Sequence, residues 1–246
     1  MKVSIIMPSY NSAATIGKSI ESVLEQSYKD WELIISDDCS SDNIVSVVKV
    51  YQDQGYNIKL LRNDDNLGSG PTRNRAISIA SGKYIAFLDS DDLWLPDKLS
   101  IQITYMKEND IAFSFTSYRK FDFQGQRGEH IVSSKVTYKQ LLKSNPIGCL
   151  TVVYDCEKIG KCYMPALRRK QDYALWLNIL DKFDICAFGI PEVLAEYCCS
   201  GGVTSNKLDV IKDQWRFYRN HLKFGFIRST YYFCCYATSG LKKYLK

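Results

Sequence analysis

In "YIAFLDSDDLWLP", residues 84–96, a strongly apolar run ends in Asp89, Asp91 and Asp92, followed by an aromatic residue and a proline. Carboxylates this close repel one another, and capping a helix needs only one of them. A hard divalent cation offsets the repulsion, because Mg2+ and Mn2+ favour oxygen ligands. Mg2+ typically takes one or two protein carboxylates and completes its shell with water and substrate phosphates. The cluster therefore points to a phosphate-bearing substrate. Two further acidic stretches, "SDDCSSD" with Asp37, Asp38 and Asp42, and "NDDNLGSGPTRN" with Gly68, Gly70 and Arg73, could do related work. Taken singly, the first also suits a loop and helix cap, and the second an ordinary turn.

The elements that must carry these residues follow from periodicity. "KVSIIMP", "WELIISDD", "NIKLLRN" and "KYIAFLD" are short apolar runs that read as buried strands. Between them lie three segments with helical character. The first has Ile16, Ile20, Val23 and Leu24 at helical spacing and Ser12 at the N-cap; the second is "SDNIVSVVKVYQDQ"; the third is "GPTRNRAISIASG", ending at Gly82. Alternating strands and helices predict an α/β fold with a mostly parallel sheet. In such sheets ligands bind at the carboxyl ends of the strands, where all three acidic stretches and "PSYN" (8–11) fall. Beyond Ile111 the sequence predicts a strand and hairpin over 111–134, a short helix at "YKQLLKSN" and a strand at "CLTVVYD". A clear helix follows at "RKQDYALWLNILDKF", then strands at "DICAFG" and "EVLAEYCC", then helices over about 207–222 and 226–244.

The composition bounds the chemistry. The chain has 246 residues, 46% hydrophobic and 24% charged, with a net charge of +5. That suits one sizeable packed domain, with a charge too mild to argue for nucleic acid. The nine cysteines form no CxxC pair, and His130 and His221 lie far from any cysteine pair, so nothing supports a zinc site. Reduced cysteines in a cytoplasmic protein are the expectation, with no leader and no run of about 18 apolar residues to span a membrane.

Two chemistries compete for an Asp-x-Asp after a strand. An aspartate-nucleophile phosphatase needs Gly-Thr after the second aspartate of the motif, where Asp92-Leu93 stand. The alternative is a sugar-nucleotide transferase, whose metal bridges a diphosphate leaving group. Four segments in order, "SIIMPSYNSAATIGKSIESVLEQSYKDWELIISDDCSSDN", "NLGSGPTRNRAI", "GKYIAFLDSDDLWLPDKL" and "RRKQDYALWL", resemble family 2 glycosyltransferases of the GT-A fold. With "QDYALWL" and a late "GGVTSNK", the chain is similar to bacterial transferases for cell-surface polysaccharides such as teichuronic acid, capsule or O-antigen. The resemblance implies a Rossmann-like, mostly parallel sheet flanked by helices. It implies that Pro8, Tyr10 and Asn11 line a nucleoside pocket and that Asp37 or Asp38 accepts a hydrogen bond from the base. Arg73 would hold the nucleotide side of the site or its acidic residues, Asp89 and Ser90 would belong to the donor site, Asp91 and Asp89 would ligate Mn2+ or Mg2+, and Asp172 would be the general base of an inverting reaction. The implied donor is a UDP-sugar and the implied acceptor a lipid-linked saccharide.

The sequence departs from that family in three places. Gln171 stands where glutamate usually precedes the base, Tyr197-Cys198-Cys199 stands where Tyr-Arg is usual, and Pro71 replaces a small residue before Arg73. The missing arginine leaves Arg168, Arg169 or Lys170 to supply positive charge. Residues 1–206 read as the catalytic domain, 1–110 holding the donor and 111–206 the acceptor and base, with loops near 92–96, 165–171 and 199–206 closing over the donor. Residues 207–246 read as a helical extension in which Lys207, Lys212, Arg216, Arg219, Lys223, Arg228, Lys242, Lys243 and Lys246 face only Asp209 and Asp213. Its interleaved aromatics suit either peripheral contact with anionic lipid or packing on the sheet; no nucleic-acid-binding fold is recognisable. A chain that binds nucleotide sugars without turnover is the alternative class of function.

Overall fold

The β-branched run at the N-terminus forms β1 (Val3–Ser9), buried along its whole length, as expected of a strand covered on both faces. In this computed structural model, which describes residues 1–122, 124–199 and 207–244, β1 lies between β2 (Trp31–Asp37) and β4 (Tyr84–Phe87), with β3 (Ile58–Arg62) beyond β2. All four run parallel, so their carboxyl ends share one edge. Side chains alternate between faces. Ile5, Met7, Leu33 and Ile35 pack under α1 (Ile16–Leu24) and α2 (Ile44–Asp53), while Ile6, Ile34, Ile85 and Phe87 pack against α3 (Ser69–Ile79) on the other side.

The second half continues the same sheet. The remaining elements are β5 (Leu93–Trp94), α4 (Lys98–Glu108), β6 (Phe113–Asp122), β7 (Gly125–His130), β8 (Lys135–Val136), α5 (Tyr138–Lys143), β9 (Val153–Asp155), α6 (Cys156–Ile159), α7 (Gln171–Lys182), β10 (Ala187–Cys198), α8 (Lys207–Arg216) and α9 (Phe226–Tyr244). The strand order is β3-β2-β1-β4-β9-β6-β10-β5, with β7 beside β6 and β8 beside β10. β9 is antiparallel to both neighbours, and β10 runs parallel to β6. The fold is therefore α/β with a mostly parallel sheet. Helix α7 lays Trp176 against Phe87 and Phe113 on the α3 face, with ring centroids 5.4 and 5.3 Å apart.

Several sequence expectations need correction. Ser12 does not cap α1: Thr15 holds the N-cap position without a side-chain bond, and the Ser12 carbonyl accepts the Thr15 and Ile16 N–H groups instead. Gly82 does not end α3, which stops at Ile79; a Cβ there would come within 2.7 Å of the Lys2 carbonyl and the Ser4 nitrogen, so only glycine lets this turn lie against β1. The "CLTVVYD" strand is confined to β9, because Cys149–Thr151 coils into a 3-10 turn whose Leu150 carbonyl accepts the Trp94 indole N–H at 2.8 Å. The two strands expected over 184–199 are one, β10, which absorbs Pro191 in a bulge after Ile190. Segment 92–96 is no mobile loop. β5 pairs with Ala195 and Glu196 of β10, and Gln26 donates to the Leu95 carbonyl at 2.8 Å. Segment 199–206 extends beyond the described residues.

Glu32, fully buried on β2, ties strand to turn. It accepts hydrogen bonds from Ser4 and from the Ser81 hydroxyl and N–H, all at 2.7 Å, and from Lys59 at 2.8 Å. Burial alone would raise its pKa; the bonds from Lys59, Ser4 and Ser81 outweigh this and bring it down to about 2. A depressed carboxylate contributes stability above its unfolded pKa and loses it as pH falls through the folded one. Glu32→Gln is therefore expected to cost about 2–4 kcal/mol at pH 7. It should also remove an acid limb between about pH 4.5 and 2 from the stability curve. Denaturant melts at a series of pH values check both; an unchanged curve would refute the assignment.

Candidate active site

The segment after β4, the C-terminal part of β6 and the end of β10 meet the N-terminal turns of α3 and α7 around a cavity of about 290 Å3. Its walls include Ser69, Arg73, Asp89, Asp92, Tyr118, Cys149, Gln171, Asp172 and Tyr197. Arg73 stands at the centre, 6% exposed, brought there by the first turns of α3. Its guanidinium pairs with Asp89 and also feels Asp172 and Cys149. Burial would lower its pKa, but these neighbours more than compensate, so it remains a fixed cation.

The three carboxylates after β4 occupy three different environments. Asp89 faces Arg73. Asp92 is 2% exposed and accepts the Cys198 N–H at 2.8 Å, locking the end of β4 to the end of β10. Burial and the charges of Asp89 and Asp91 push the Asp92 carboxyl well above its usual range. Asp91 is the exposed member; burial of its carboxyl group and the charge of Asp89 raise it too. Ser90 is buried between them.

Asp172 lies in the first turn of α7, whose free N–H groups favour a carboxylate. Burial nonetheless raises its pKa, with the Tyr173 N–H and Arg73 pulling the other way. Gln171 explains one departure from the family pattern. With its amide oxygen turned toward the donors around it, it accepts from Arg73 at 3.2 Å and from the Gly70 N–H at 3.3 Å, while its nitrogen donates to the Leu167 carbonyl at 2.6 Å. It joins α7 to α3 without a second negative charge.

The other sequence-derived residues stand at the ends of β1 and β2 and do not line this cavity. Pro8 is buried at the end of β1, and Tyr10 is exposed beside it. Asn11 adopts a left-handed conformation, φ 48°; its N–H donates to Ser40 at 2.8 Å and its side-chain oxygen accepts the Ser41 N–H at 2.9 Å. Asp37 and Asp38 are both buried and both bonded within the protein. Asp37 accepts the Ser40 N–H at 3.1 Å. Asp38 accepts the Leu67 and Gly68 N–H groups and Asn63, each at 2.8 Å, and so shapes the loop leading into α3. Residues that the sequence did not single out are Tyr118 and Cys149, and Asp92, expected to share a cation with Asp89 and Asp91, turns inward instead. Tyr118 and Cys149 come from segments without a motif, and nothing in "DSDD" says which aspartate turns inward.

Of the basic residues before α7, Arg169 pairs with Asp213 at 2.7 Å and Lys170 bonds Gln214, while Arg168 is exposed. Among the described residues, no group of three or more histidine, cysteine, aspartate or glutamate side chains could hold a metal ion. Asp91 and Asp89 nevertheless suit a hard cation that takes its other ligands from a diphosphate, since loss of water around the Asp91 carboxyl and then the charge of Asp89 both raise the Asp91 pKa. No helix among the described residues is long and apolar enough to cross a membrane.

Comparison with known proteins agrees with this geometry. The glycosyl transferase family 2 model matches residues 4–158. A Bacillus subtilis protein named as a teichuronic acid biosynthesis glycosyltransferase is 40% identical over 99% of this chain and 97% of its own length. An Escherichia coli UDP-Glc:alpha-D-GlcNAc-diphosphoundecaprenol beta-1,3-glucosyltransferase is 41% identical over 98% of this chain and 94% of its own. In structure, residues 1–349 of Staphylococcus aureus TarS in complex with UDP-GlcNAc superimpose with a TM-score of 0.72 at 19% identity, covering 96% of this chain and 72% of that one. A Pyrobaculum calidifontis mannosyltransferase in complex with GDP-Man and Mn2+ gives 0.68 at 16% identity, covering 97% and 73%. The sheet is thus that of the GT-A fold, and the chain belongs to glycosyl transferase family 2 and is a glycosyltransferase.

Proposed function

We propose that this glycosyltransferase moves a sugar from a UDP-sugar to a lipid-linked saccharide in the building of a cell-surface polysaccharide, with inversion at the anomeric carbon. The observation that carries the reading is the juxtaposition of Arg73, Asp89 and Asp172 in one cavity, with Asp91 exposed beside it. The relatives' names support the donor and the kind of acceptor.

Pro8, Tyr10 and Asn11 take the nucleoside side, with Asp37 the candidate for the base and Asp38 holding the 66–68 loop. Asp91 and Asp89 would hold Mn2+ or Mg2+, which when bound supplies positive charge against the departing diphosphate. Asp172 takes the proton from the acceptor hydroxyl. The oxygen then bonds to the anomeric carbon as the carbon–phosphate oxygen bond breaks on the opposite face, its electron pair leaving with UDP. A carboxylate whose pKa is raised by burial is a stronger base than a free one.

The tail supports work at the inner face of the cytoplasmic membrane. Phe226 and Ile227 are 67% and 86% exposed at the start of α9, beside Lys223 and Arg228. An apolar edge flanked by cations suits a surface of anionic lipid.

The test is transfer from radiolabelled UDP-sugars to polyprenyl-diphosphate-linked sugars in vesicles. A product that forms with at least one UDP-sugar, and faster in anionic than in zwitterionic vesicles, is the expected result. Transfer only from GDP- or dTDP-sugars would overturn the donor assignment, and equal rates in both vesicles the membrane assignment.

A further inference from the structure

The turn that leads into α7 is held from outside the catalytic cavity. Lys170, the residue before Gln171 and Asp172, sits in the left-handed region at φ 61°, ψ 24°, and its carbonyl accepts the Ala174 N–H at 2.9 Å. A side chain there is disfavoured, and such a conformation persists only where its surroundings impose it. The surroundings here come from the C-terminal helices. The Lys170 ammonium donates to the fully buried Gln214 of α8 and lies over the ring of Tyr236 of α9, 5.3 Å from its centroid. Arg169 pairs with Asp213 at 2.7 Å.

We propose that α8 is a clamp: Asp213 and Gln214 hold the 168–170 turn and, through it, the position of Asp172. This rests on the reading of Asp172 as the general base. Asp213 and Gln214 are positioning residues and touch no substrate. Gln171 fixes the same turn from the α3 side, so the base is gripped on two flanks, one near the donor and one remote from it. Aromatic packing seats the clamp firmly. Tyr173 of α7 stacks on Phe217 just after α8 at 4.8 Å, and Tyr218 donates to the Leu142 carbonyl at 2.7 Å. The basic extension thereby gains a role in catalysis that its charge alone does not suggest.

The experiment compares Gln214→Leu, Asp213→Asn, Lys170→Ala and Lys170→Gly with the wild-type full chain. Gln214→Leu and Lys170→Ala are expected to lower kcat about 10-fold or more with donor KM unchanged, since small misplacements of a catalytic group are costly. Asp213→Asn should lower it less. Lys170→Gly should recover part of the loss seen with alanine, because glycine enters the left-handed region freely. Hydrogen exchange at residues 170–174 should quicken in Gln214→Leu, and this readout does not depend on turnover. Wild-type turnover with full kcat in Gln214→Leu and Lys170→Ala would overturn the clamp alone. Absent wild-type turnover would sink the reading of the site, and exchange in 170–174 would then decide the clamp, unchanged protection refuting it. A misfolded Gln214→Leu, revealed by its melting curve, leaves the alanine–glycine comparison at Lys170 to decide.

Discussion

Asp172→Asn is expected to lower kcat by about 10³-fold while leaving UDP affinity within a factor of about two, in the range that positioned bases contribute. Asparagine keeps the shape of the side chain and an oxygen for the Tyr173 N–H, so α7 should start as before. Arg73 keeps Asp89 as its partner and stays in place. What disappears is the carboxylate that, on the proposed reading, takes the proton from the acceptor hydroxyl. The pH profile gives a second check. Burial raises the Asp172 pKa, so wild-type kcat should fall on the acid side at a pH above that of an ordinary carboxylate, and the variant should show no such limb. Steady-state rates across pH, with UDP calorimetry on both proteins, measure this. Undiminished turnover in the variant would remove Asp172 from the mechanism.

The first half of the fold is legible for a physical reason. β1, β2 and β4 are covered on both faces, so each writes itself as an unbroken apolar run. The second half mixes strand directions and leans on long-range contacts. β5 is two residues long and exists only because β10 pairs with it. α4, which is not among the expected elements, carries Leu99, Ile103 and Met106 at helical spacing and buries all three. The site divides along the same line. Asp89, Asp91, Arg73 and Asp172 stand in ordered motifs, whereas the burial of Asp92 depends on the end of β10, more than a hundred residues away. Gln171 stands where the family pattern has a charge. Its bonds to Leu167, Gly70 and Arg73 show an amide suited to a place where both a donor and an acceptor are needed.

The same division of labour after β4 leads to the second large effect. Asp91→Ala is expected to abolish any stabilisation by UDP that requires Mn2+ or Mg2+, and to lower kcat/KM by about 10³-fold, as loss of charge stabilisation at a leaving group does. Asp89 cannot hold the cation alone, because one of its oxygens already pairs with the buried Arg73. Asp92 cannot either; its carboxyl is turned into the protein, bonded to the Cys198 N–H and pushed toward its neutral form by burial and by its two neighbours. Asp92→Asn serves as the contrast. It keeps an acceptor for Cys198 and removes no exposed charge, so metal-dependent stabilisation by UDP should survive. Melting temperatures of the three proteins with UDP, each with Mn2+, Mg2+ or a chelator, separate the roles. Stabilisation that needs metal in the wild type and in Asp92→Asn, but is lost in Asp91→Ala, is the outcome required if Asp91 holds the cation with Asp89, which Arg73 also pairs, while Asp92 faces the protein interior. A metal-dependent shift that persists in Asp91→Ala would move the metal site elsewhere.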